Sequence, residues 1–393
     1  MPLPVPTVRL LSPVAAALAI ALAWVILLSG TATAAIEPTT VEATEATGAL
    51  TATVKPATVT YGSAVTLSGV LTDPAGSVVA GAPVVAEAQT SDGLWTVVAG
   101  PVATDPAGQV TLPLAPTASS VVRLRHDGDG GWALSPPQTV RVRAALSAAP
   151  RRPAVEVGKP VRVAGSLAPA PDGAVVRLER RVDGGWRKVA AASVAADGTW
   201  SATVTAGVAG FERYRVVRGA AAGVGEATAG LARLDVFRLH RYSVATRGRV
   251  TADLKRFRDG VAETYADPRG WRGAHHRFRE VRRGGDFTVV LAQAASVPSY
   301  HPICSAFYSC RVGRYVIINQ DRWRSGSPYF PGELLTYRRM VVNHETGHWL
   351  GRGHASCGGE GRLAPVMAQQ SKGLGGCRPN PWPLPREVRA VSR

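Results

Sequence analysis

Five residues near the C-terminus, His344, Glu345, His348, Gly351 and His354, have the types and spacing of a hydrolytic metal site: H-E-x-x-H-x-x-G-x-x-H. On a helix, residues four apart share a face, so His344 and His348 can turn two imidazoles toward one ion. Glu345 follows the first ligand, where its carboxylate can reach a water on the metal without ligating the metal itself. Gly351 permits the turn that ends the helix and brings His354 round as a third nitrogen ligand. Three protein ligands leave a fourth zinc position open, as a catalytic site requires and a structural site avoids. The competing reading is a helix carrying two ordinary surface histidines.

Met367, one of three methionines in the chain, lies thirteen residues beyond His354 in Ala364-Pro365-Val366-Met367-Ala368-Gln369. With it, His344–His354 resembles the site of the zinc endopeptidases called metzincins, which carry such a methionine in a tight turn beneath the imidazoles. More narrowly, the chain from about residue 236 resembles a secreted actinobacterial domain of unknown function that bears this motif. The resemblance implies an α+β fold, zinc as cofactor and hydrolysis of peptide bonds, with Glu345 taking a proton from the attacking water and passing it to the leaving amine. It leaves the substrate open. Two departures stand out: Ala355 occupies a place that is often acidic, and Gln369-Gln370-Ser371 offers no tyrosine after the methionine turn. The stabiliser of the oxyanion is therefore unassigned.

The elements that must position this site follow from periodicity. Phe237–Val244 alternates as a strand, and Val250–Ala266 has helical spacing that stops at Asp267-Pro268. Phe287–Ala292 and Tyr315–Asn319 are apolar, β-branched runs suited to interior strands. The site helix is expected from Glu333 to Leu350. Strand, helix, strands and zinc helix is also the order that the metzincin resemblance implies.

All four cysteines, Cys304, Cys310, Cys357 and Cys377, fall in this region. An even number in an exported chain argues for two disulfides in one of three pairings, of which the local one, Cys304–Cys310 with Cys357–Cys377, is favoured. Cys357 as a zinc ligand is the alternative. No cysteine precedes Cys304, so no upstream thiol can block a metal. His275-His276 reads as a solvated pair. Residues 236–393 hold 26 Lys and Arg against 11 Asp and Glu, an excess of 15 out of the chain's net +17. Without a helix-turn-helix, finger or stacking-sheet signature in an exported chain, nucleic acid is not expected; an anionic envelope polymer or an acidic substrate is the better partner.

The N-terminus has Arg9, an apolar run Val14–Leu28 and the small-residue site Ala32-Thr33-Ala34. Residues 1–34 thus read as a secretory signal, with an uncleaved anchor as the alternative. Residues 35–47 form a polar, acidic linker. Short alternating strands then suggest two immunoglobulin-like sandwiches, at 48–143 and 144–235. Their repeat is visible in Tyr61–Gly69 against Val157–Gly165 and in Asp92-Gly93-Leu94-Trp95 against Asp183-Gly184-Gly185-Trp186. Trp95 and Trp186 read as core residues. The expected architecture is therefore two all-β sandwiches followed by an α+β, metzincin-like zinc domain at 236–393. Its expected activity is that of a secreted zinc endopeptidase acting on a protein or peptide, at an oligomeric state the sequence leaves open. A zinc hydrolase of cell-wall peptides and a surface adhesion protein with a vestigial site are the alternatives.

Overall fold

The computed structural model describes residues 48–128 and 131–391. The expected signal at 1–34 and linker at 35–47 lie outside these residues. The described chain is mostly β-sheet. Strict alternation builds it: Gln109–Leu114 and Thr199–Thr205 bury every second side chain, as strands with one wet face must.

In the first sandwich, Val65–Thr72 pairs with Gln109–Leu114 and with short strands at Ala49–Leu50 and Thr53–Lys55. The facing sheet is built on Pro83–Gln89, Trp95–Ala103, Ser120–Gly128 and Gln138–Arg143. Leu67, Leu71, Leu112 and Leu124 fill the space between them. The second sandwich repeats the plan, with Pro160–Ala168 on Thr199–Thr205 and Val175–Val182 between Gly185–Ser193 and Tyr214–Arg218. Trp95 and Trp186 are not core residues. Both are half-buried at the start of largely exposed edge strands, beneath the guanidinium groups of Arg123 and Arg215 at 4.0 and 4.5 Å. Each arginine donates from Nε to a carboxylate of the neighbouring strand, Glu87 and Glu179. The core tryptophan is Trp200.

The strand that closes the second sandwich also opens the C-terminal region. β1 (Leu234–Arg247) begins between Ala154–Glu156 and Gly210–Glu212. It then continues between β2 (His276–Glu280) and β3 (Phe287–Ala292). Asp235 secures the junction by accepting from His275 Nδ1 at 2.7 Å and from Arg277 at 2.6 Å. The sheet is completed by β4 (Cys310–Val312) and β5 (Tyr315–Asn319), in the order β2-β1-β3-β5-β4. All strands are parallel except β4, at the edge. β3 is buried along its whole length, which suits a sequence that is apolar except for Thr288, whose hydroxyl bonds Ser243.

α1 (Leu254–Ala266) starts four residues later than its periodicity suggested, because the Asp253 carboxylate caps it through the Arg256 N–H. Its face of Phe257, Val261 and Tyr265 packs with Tyr337, Met340 and Val341 of a long helix described below. The short helices α2 (Gln320–Ser325) and, near the C-terminus, a last one at Pro385–Val391 complete the region. Among the described residues, no helix is long and apolar enough to cross a membrane.

Candidate metal centre

α3 (Leu334–Trp349) carries the first two histidines, within one residue at either end of the helix expected from spacing. Met340 to Gly347 are buried without interruption, so this helix runs through the domain instead of lying on its surface. Gly351, at φ +85°, takes the left-handed turn that side chains disfavour and sends the chain back with His354. The three imidazoles converge: Nε2 of His348 stands 3.1 Å from Nε2 of both His344 and His354. Nitrogens at the corners of a tetrahedron around zinc lie about 3.3 Å apart, so the donor set fits one such ion.

Their protons are placed to suit. His344 Nδ1 donates to the Val366 carbonyl at 2.8 Å, and His348 Nδ1 donates to the Arg352 carbonyl at 2.7 Å. A carbonyl only accepts, which leaves the Nε2 lone pairs directed into the site. Burial drives the His344 imidazole down to about 3, and the neighbouring rings of His348 and His354 add to it. Burial also lowers His348, with His354 and the Arg311 guanidinium adding against the Arg352 carbonyl. His354 is lowered by burial and then by the Lys372 charge. All three are neutral donors near pH 7.

Glu345 is 6% exposed and lines the same cleft. Burial pushes its carboxyl up to about 8, and a dication among the imidazoles would favour the carboxylate. In that form it is a proton acceptor in a space of about 730 Å³.

Met367 is buried beneath the helix. A methyl group added at Gly347 would collide with Met367 Sδ and the Trp271 ring, so only glycine lets the turn approach between the two helical ligands. The turn touches the site twice more. Val366 supplies the carbonyl that orients His344, and Met367 supplies the one that accepts from Ala355 N, next to His354. It is held in turn by Glu387 of α4 (Pro385–Val391), whose carboxylate accepts from the N–H groups of Val366, Met367 and Leu384 at 3.1, 2.9 and 2.7 Å. Trp271 Nε1 donates to Asn343 O, and Tyr265 bonds Thr346, which adds two further ties to α3.

The disulfides are Cys304–Cys310, beside the cleft, and Cys357–Cys377, which closes the loop containing the methionine turn. No cysteine sulfur remains for a metal. The expectation of a solvated His275-His276 pair is corrected. His275 is held by Asp235, while His276 is buried and 2.6 Å from His240, because His276 opens β2, which pairs with β1 and packs against α1. Glu387, Gly347, Trp271 and the cleft arginines carry no local sequence signal; each acts through contacts across many residues.

Fold and site together define a β-rich, multidomain chain with two disulfides and a three-histidine cluster that could hold a metal. Residues 202–385 match the family model described as a protein of unknown function (DUF3152), so the chain carries a DUF3152 domain. The match spans the last strands of the second sandwich as well as the histidine site. No curated protein matches the chain. Among solved structures, the D0-D1 domain of intimin is similar at 14% identity and a TM-score of 0.20, over 48% of this chain and 97% of that one. A tetra-tandem repeat in the extending region of a large adhesion protein is similar at 17% identity and a TM-score of 0.24, over 48% and 49%. Neither bears on the chemistry of the site.

Proposed function

We propose that the protein is an exported, zinc-dependent endopeptidase with a metzincin-like α+β domain. The observation that carries this reading is the convergence of three neutral Nε2 donors beside a buried carboxylate in one open cleft. Zinc bound there would supply Lewis acidity and a water acidified toward neutrality. His344 and His348 are aimed by carbonyl partners and His354 by the Gly351 turn, which would hold the three nitrogens toward one ion. Glu345 would take the proton of the attacking water and deliver it to the leaving amine, which makes one residue both base and acid. Its burial favours this exchange, since a carboxyl of raised affinity holds the proton between the two steps. The two disulfides accord with an oxidising compartment outside the cell. The sandwiches serve as a spacer that carries the domain away from its point of attachment.

The test is incubation of the zinc-loaded chain with a diverse peptide library, read by mass spectrometry, beside Glu345→Gln at matched zinc content. Wild type should cut internal bonds, and the variant should be slower by about 10²–10⁴-fold. Equal rates would remove Glu345 from the chemistry, and no cleavage by wild type would remove the peptidase.

A further inference from the structure

We infer that the cleft selects peptides bearing a carboxylate close to the scissile bond, recognised by Arg311 and Arg352 with Lys372 at the rim. This rests on the peptidase reading and names its substrate class. Arg311 comes from the edge strand β4, Arg352 from the turn after α3, and Lys372 from the segment beyond the methionine turn. All three line the cleft that holds the histidines. Their charges are felt there: that of Arg311 at the His348 ring and that of Lys372 at the His354 ring.

Seven arginines of the described residues pair with carboxylates, among them Arg123 with Glu87, Arg215 with Glu179 and Arg277 with Asp235. Among the described residues Arg311, Arg352 and Lys372 form no ion pair. Among the described residues that line the cleft Glu345 is the one acidic side chain, and in the peptidase reading it serves the reacting water. Moreover, the Nε atoms of Arg311 and Arg352 are buried with no hydrogen-bond acceptor. A buried donor without a partner is costly, and an acceptor brought by a ligand recovers that cost. Guanidinium groups match the two oxygens of a carboxylate through parallel N–H donors. A peptide brings that group from an Asp or Glu side chain or from its C-terminus.

Four dansyl-labelled octapeptides separate these sources: one Ala/Leu sequence with Glu or Gln at its centre, each ending in a free acid or an amide. Binding to the full zinc-loaded chain carrying Glu345→Gln is read by fluorescence anisotropy. A carboxylate-bearing peptide should bind about tenfold more tightly than the Gln amide, and the arm that shows it identifies the source. Arg311→Gln and Arg352→Gln should each bring that ratio close to one. Lys372→Gln, a change at an exposed side chain, should lower it about threefold without risk to folding. A ratio near one in the parent, or a ratio unchanged in every folded variant, overturns the inference. Hydrolysis of the same peptides by the chain with Glu345 intact is scored separately. No cleavage with the tenfold ratio intact defeats the peptidase reading and leaves the carboxylate site standing, whereas cleavage without the ratio defeats the carboxylate site alone.

Discussion

Replacing Glu387 with Ala should loosen the metal site although Glu387 never touches it. Its carboxylate, 4% exposed, accepts three backbone N–H groups, two of them from the methionine turn at 3.1 and 2.9 Å. Truncation leaves those buried donors without acceptors at about 1–3 kcal/mol each, so with partial relaxation the chain should lose about 3–5 kcal/mol. The local consequence is more specific. Val366 donates its N–H to Glu387 and offers its carbonyl to His344 Nδ1, so a turn that drifts releases the first ligand's ring. Loss of such an orienting partner typically costs about 10–100-fold in metal affinity. Urea unfolding of the metal-free protein measures the first effect, and competition for zinc with a chromogenic chelator measures the second. Glu387→Gln, which keeps one acceptor oxygen, should fall between wild type and Ala in both. Lost stability with unchanged zinc affinity would refute the link from Glu387 through the turn to His344.

Gly347→Ala should destabilise by about 1–3 kcal/mol through overpacking against Met367 and Trp271, although alanine is the better helix former by about 1 kcal/mol; a stabilised variant in urea would contradict the packing described. A fragment beginning at 236 should be less stable than one beginning at 144 by about 1–3 kcal/mol, since it cuts β1 and discards Asp235 with its bonds to His275 and Arg277. Equal unfolding midpoints would show that the sandwich adds nothing to the sheet. Burial, then the His240 ring, lowers His276 to about 4 from an ordinary 6.5. Its contribution is therefore whole above pH 6.5 and is lost as pH falls toward 4. The stability difference between wild type and His276→Phe should shrink over that window by up to about 3 kcal/mol, and a flat difference would place a charged ring there.

What was legible in the sequence is what local periodicity encodes. His344, Glu345, His348 and His354 could be read because helical spacing and one glycine turn fix their relation. The bounds of β3 and β5 fell on the same residues as the apolar, β-branched runs, because strands buried on both faces hold few polar positions. The cysteine pairing followed from short loops. Trp95 and Trp186 misled because size suggests a core, whereas each sits half-buried on a largely exposed edge strand with an arginine over its ring. β1 begins at Leu234, three residues before its alternation is clear, since its first residues belong to the second sandwich. Glu387, 42 positions beyond Glu345 in number but bonded to the turn beneath it, shows the larger limit. A pattern of nearest neighbours holds no record of which distant backbone N–H groups need an acceptor.

Metal analysis of the full chain tests the centre most directly. Refolded with zinc, dialysed and measured by inductively coupled plasma mass spectrometry, the wild type should hold one zinc ion per chain, and His348→Ala, which removes the imidazole between the other two, should hold none after the same dialysis. A wild type without zinc, or an undiminished zinc content in His348→Ala, would contradict the site.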